Sequence, residues 1–151
     1  PKAKILLSAK LGVIIMNSLL LCEQIKNGTI EIEVDYPCQC HIGLVSISLP
    51  LLKRTDSKIS EIFVSCDQVD STRNNRKRLI QIFGYDKNQQ RHWTTYDFNN
   101  ILYFNIDSSE RKLTFRLYDR NGPLQLSTDK TSSTYVIMKL NMIPTKTIQK
   151  V

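Results

Sequence analysis

Three observations predict an all-β fold, an antiparallel β-sandwich of about eight strands. First, the apolar runs are short and bounded by polar or turn residues, most clearly within 59–69, 78–85, 101–118 and 135–140. Second, residues 29–34 alternate: Ile30, Ile32 and Val34 share one side, and Thr29, Glu31 and Glu33 the other. That two-residue period belongs to a strand with one face in the core and one in water. Third, no compelling amphipathic helix stands out, since no long stretch carries a 3.6-residue apolar stripe. Many short strands joined by turns read as a sandwich or barrel. The long polar loops suit a single jelly roll better than a tight meander.

Taken in order, residues 4–7 are expected to form a short strand and 8–10 a polar break. Residues 11–16 are rich in β-branched side chains (Val13, Ile14, Ile15) and predict a buried strand. Residues 19–22 either continue it or begin a short helix. Asn27-Gly28 is a turn signal before the alternating strand. Asp35-Tyr36-Pro37 ends that strand, because proline restricts its predecessor and has no N–H for a ladder. Residues 41–49 are the next strand, with Leu51 and Leu52 over the end of the sheet and a polar loop at 53–58. Ile62-Phe63-Val64 strongly favours strand. A basic loop at 70–77 leads to a strand at 79–83, and a polar excursion at 86–92 leads to the aromatic stretch 93–98. Strands follow at 101–104 and 113–117. In the cluster 119–123, Asn121-Gly122 is expected to supply a positive φ and Pro123 to end the turn. A short pairing segment at 124–126, a loop at 127–134 and a last strand at 135–140 complete one domain over 1–143. Residues 144–151 are expected to be a flexible tail or a partner-binding arm.

A chain of 151 residues suits one domain with a sizeable core. Its 41% apolar and 23% charged content excludes global disorder. The net charge of +7 favours polyanionic partners. Four cysteines (Cys22, Cys38, Cys40, Cys66) are too few for a stapled secreted scaffold of this length, so buried free thiols are expected, with a cross-link as the extracellular alternative. The apolar run 11–22, interrupted by Asn17 and Ser18, is too short for a membrane span. No secretory signal stands out, and the start at Pro1 fits trimming upstream.

No catalytic constellation emerges, and no cofactor or metal is expected. Cys38-Gln39-Cys40-His41 is the nearest thing to a metal motif, but the other donors, Cys22, Cys66 and His92, are scattered, and structural zinc needs four converging ligands. Cys66-Asp67 places a thiol beside an acid without a visible third member or oxyanion hole. Glu31 and Glu33 read as a wet strand face. The main charge cluster is Arg73, Arg76, Lys77 and Arg78, joined by Lys87 and Arg91 if the two loops lie together. Such an edge suits phosphates, and Tyr85, His92, Trp93 and Tyr96 are nearby for base stacking. The competing reading is a solvated loop beside packed aromatics. Leu19, Leu20, Leu51 and Leu52 are candidate oligomer contacts, with core burial as the alternative, and open strand edges are a second assembly surface.

The segment Ile62-Phe63-Val64-Ser65-Cys66-Asp67-Gln68-Val69 resembles an element of the small jelly-roll capsid proteins of polinton-type DNA transposons and their adintovirus-like relatives. There a hydrophobic strand ends in a Cys-Asp-x-Val-like step. A basic loop, a Leu-Ile-rich strand (79–83), a Tyr/Phe-containing stretch (101–104), an Asp-x-x-Gly turn (Asp119 to Gly122) and a terminal strand (135–140) follow in the same order. The likeness spans 30–142 and departs at Cys40-His41-Ile42-Gly43-Leu44, where the family carries a tryptophan-led strand. It implies a penton-like or minor capsid component rather than a double jelly roll. It also implies self-assembly without catalysis as a homo-oligomer, for which a pentamer is one form, or docking to a larger capsid protein. The basic face would lie toward nucleic acid, and the setting would be a virion or the nucleus or cytoplasm of a host cell. A host-adopted relative with a changed role, a nucleic-acid-binding β-domain and a protein- or glycan-recognition module are the competing expectations.

Overall fold

The computed structural model describes residues 3–11, 14–34, 40–53, 59–69, 78–86, 93–106, 111–128 and 133–144. All eleven elements among them are strands: β1 (Ala3–Leu11), β2 (Ile14–Gln24), β3 (Thr29–Glu33), β4 (Cys40–Pro50), β5 (Ile59–Cys66), β6 (Leu79–Asp86), β7 (Trp93–Asp97), β8 (Tyr103–Ile106), β9 (Lys112–Asp119), β10 (Gly122–Pro123) and β11 (Tyr135–Pro144). No helix among the described residues is long and apolar enough to cross a membrane.

The strands form two antiparallel sheets. The first runs β1-β2-β11-β4, and the far side of β4 carries both β7 and β8. The second runs β6-β5-β9, and the far side of β9 carries β3 and β10. The alternation read from residues 29–34 is reproduced, with Ile30, Ile32 and Val34 buried and Glu31 and Glu33 exposed. Each sheet contributes one apolar face to a single core. Leu21, Ile42, Leu44, Ile47, Met138 and Leu140 come from the first, and Ile32, Ile62, Val64, Leu113, Phe115 and Leu117 from the second. Burying a side chain of this size stabilises the fold by about 1.5–3 kcal/mol.

Two bulges adjust this frame. Lys139 faces Ser46 but Leu140 faces Leu44, so Val45 is an extra residue in β4. The Val45 carbonyl accepts the Phe98 N–H at 3.0 Å. Beyond that contact, residues 98–102 leave the ladder, and β8 rejoins β4 at Gly43. Across β5 and β6, Val64 faces Gln81 and Ser65 faces Leu79, so Ile80 is the additional residue and is buried.

Several boundaries differ from expectation. Residues 8–10 are not a break: Ser8 and Lys10 pair with Asn17 and Ile15 along an unbroken β1, because ladder bonds are made by backbone whatever the side chain. The expected strand over 11–16 is divided, with Leu11 opposite Ile14, and residues 19–22 continue β2 rather than forming a helix. The strand expected at 101–104 begins at Tyr103. Pro123 follows the turn at 120–121 as expected and pairs with Tyr118 at the sheet edge, where its missing N–H costs no ladder bond. There the positive φ is at Gly122 (121°), and the turn before it is closed by the Asn121 N–H on Asp119 Oδ1 at 2.7 Å. The final strand extends to Pro144, and residues 145–151 of the expected tail lie outside the described residues.

Candidate interaction surfaces

Of the six basic candidates, Arg73, Arg76, Lys77, Lys87 and Arg91 lie outside the described residues. Arg78 is exposed and has a left-handed backbone (φ 49°). Its carbonyl accepts the Cys66 N–H at 3.1 Å, and its Nη1 donates to the Asp67 carbonyl at 2.6 Å. Arg78, directly before β6, is therefore tied to the end of β5.

That β5 end is the segment whose Cys-Asp-x-Val step stood out in the sequence, and its bonds explain the residue types. Gln68 Oε1 accepts the Thr114 N–H at 2.8 Å and the Cys66 thiol at 3.6 Å, while Gln68 Nε2 donates to Thr114 Oγ1 at 3.3 Å. The Asp67 N–H donates to the Thr114 carbonyl at 3.0 Å. The Asp67 carboxylate takes a two-pronged pair from Arg116, Nε to Oδ1 at 2.9 Å and Nη2 to Oδ2 at 2.8 Å. These contacts dock the outgoing chain on β9. Both charges are substantially exposed, so Asp67→Ala is expected to lower stability by at most about 1 kcal/mol, read as a small shift of the urea midpoint. The step is a structural clasp more than a reactive pair. Cys66 is fully buried, and burial pushes its thiol pKa up to about 12, opposite to the lowering that activates a thiolate.

The aromatic candidates separate. Tyr85 is buried with its ring 6.3 Å from that of Tyr96, and Phe83 lies 4.7 Å from Tyr96 and 5.5 Å from Phe98. These rings fill one end of the core, so Tyr85 has no free face for a base; Trp93 is 39% exposed. Tyr85 and Tyr96 thus match the competing expectation of packed aromatics rather than the stacking surface. His92 and Cys38 lie outside the described residues. Cys40 is buried and Cys22 is partly buried. Among the described residues, no group of three His, Cys, Asp or Glu converges as a metal site.

The core takes Leu19 and Leu52, while Leu20 is 38% exposed and Leu51 is half-buried. Of the four candidate contacts, Leu20 and Leu51 thus keep area for a partner. Several polar side chains of the first sheet bond to one another. Ser18 Oγ donates to Asn141 Oδ1 at 3.1 Å, Asn141 Nδ2 donates to the Tyr103 hydroxyl at 3.1 Å, and Ser48 and Thr95 share a hydroxyl bond of 2.8 Å. Gly43 lies beneath this cover, where a Cβ would stand 2.6 Å from Ile101 Cγ2 and 2.8 Å from the Tyr103 ring.

The outer face of the second sheet was missed by sequence reasoning. Its signal was the run Ile62-Phe63-Val64, which is apolar on both faces of one strand. No family model matches this chain, and no curated protein matches it.

Proposed function

We propose that the chain is a capsid-like structural protein, a single jelly roll that associates with copies of itself or with a larger shell protein. The pairing scheme carries this reading. β2 pairs with β11, β3 with β9, β4 with β7 and β8, and β5 with β6. A long antiparallel ribbon rolled upon itself makes these four pairings, and the neighbours β11-β4 and β9-β5 then close each sheet, as in the double Greek key of a jelly roll. β1 lies outside that scheme and pairs only with β2 among the described residues. Its other edge spans nine residues and offers backbone donors and acceptors that association satisfies. The mass of the native full chain across concentration is the test. Oligomers are expected, and a species monomeric throughout, alone and with candidate shell proteins, overturns the reading.

A second reading, binding of nucleic acid through the basic edge, is favoured by the exposed Arg78 directly before β6 and by the net charge of +7. It predicts salt-sensitive binding weakened by neutralising Arg76 and Arg78. Binding indifferent to salt and to those changes overturns it.

A further inference from the structure

Four strands of the second sheet each place one apolar residue in a single row across its outer face. Ile82 on β6 faces Phe63 on β5, Phe63 faces Tyr118 on β9, and Tyr118 faces Pro123 on β10. Ile82 is 49% exposed, Pro123 is exposed, and the two rings between them are half-buried. The Phe63 and Tyr118 rings stack on each other, with centroids 5.4 Å apart and planes 18° apart. On one flank, Glu61 of β5 and Arg120 just beyond β9 make only a loose pair at 4.0 Å, and both side chains are mostly in solvent.

We propose that this row is an isologous contact with a second copy of the chain. It rests on the self-association reading above and names the face that carries it. The argument is complementarity. A two-fold axis running along the strands between β5 and β9 lays Phe63 over the second copy's Tyr118 and Ile82 over its Pro123. The same operation lays Glu61 over Arg120 and Arg120 over Glu61, so the contact repeats in both directions. A two-fold parallel to the row instead sets Arg120 against Arg116, whose charge Asp67 already balances, and Glu61 against Ser65, so the Glu61–Arg120 match is lost. Aligned sheet packing therefore has one favoured sense on this face.

The test uses charge reversal in the full chain. Glu61→Arg and Arg120→Glu alter exposed side chains, so the fold is expected to persist, checked by circular dichroism. Each variant alone places like charges across the contact and is expected to weaken association about tenfold or more by sedimentation. In an equimolar mixture of the two variants, positions 61 and 120 again carry opposite charges across both halves of the contact between unlike chains, while neither chain regains its internal pair. Recovery of association only on mixing supports the proposal, as does loss of association in Ile82→Lys. If the parent chain associates and all three variants associate equally well, this face is overturned while self-association stands. Weakening without recovery on mixing also overturns it. A parent chain that remains monomeric overturns both.

Discussion

Replacing Gly28 with alanine is expected to destabilise the fold by about 3 kcal/mol, the sum of a left-handed backbone penalty of about 1–2 kcal/mol and an overpacking cost of about 1–3 kcal/mol. Gly28 has φ 73°, and it follows Asn27 at φ 50° in a tight turn closed by two bonds between Lys26 and Thr29, at 3.0 and 2.9 Å. Two consecutive positive φ values make the turn that carries the chain from β2 of the first sheet to β3 of the second, closed by the single bridge Lys26–Thr29. The turn also presses against β9: the Gly28 carbonyl accepts the Leu117 N–H at 2.7 Å, and a Cβ on Gly28 would lie 2.6 Å from the Leu117 carbonyl oxygen. That obstacle is backbone, which cannot swing aside like a side chain. Gly84 is the internal control, because a Cβ there meets nothing within 4 Å and its φ is not positive. Gly84→Ala is expected to leave the urea midpoint unchanged or raise it slightly. Equal effects at the two glycines would refute the close-approach argument.

The second large effect is alkaline. The Cys66 thiol, ordinarily near 9, is pushed up to about 12 by burial first, with the Asp67 charge adding to the rise and backbone hydrogen bonds opposing it. The unfolded chain therefore gives up this proton before the native one does. Its contribution to stability is complete below about pH 9 and is lost as pH climbs toward about 12, at about 1.4 kcal/mol per pH unit. Across that window the loss reaches about 4 kcal/mol. Urea midpoints of the parent chain and Cys66→Ala from pH 8 to pH 11 should converge as pH rises, with the variant falling less steeply. Some fall remains in both, since burial also raises the Tyr118 hydroxyl pKa. Parallel curves would show that Cys66 does not govern the alkaline limb.

Much of the strand content was legible because period two is written directly into residues 29–34 and 113–117, whose inward positions are apolar. The Asn27-Gly28 turn was legible for the same local reason. What failed was also local. Val13, Ile14 and Ile15 read as one strand because β-branching does not say where a chain reverses, and β1 ends at Leu11 while β2 begins at Ile14. Pairing partners were not legible at all: alternation tells which face a residue takes, not that Gln24 lies opposite Tyr135. The candidate surfaces were read where charge and aromatics cluster in sequence. The row Ile82–Phe63–Tyr118–Pro123 escaped because its members are scattered along the chain and meet only through register.

The pairing of β2 with β11 has a consequence for biosynthesis. An early strand needs a companion that leaves the ribosome more than a hundred residues later, and the same sheet also holds β4 between β11 and β7. The nascent Ile14–Gln24 segment, rich in leucine, must wait with its inner face uncovered through most of translation. Such exposed apolar surface is prone to aggregate while the chain is being made, and C-terminal truncation before Tyr135 removes a central strand of a sheet rather than a dispensable end.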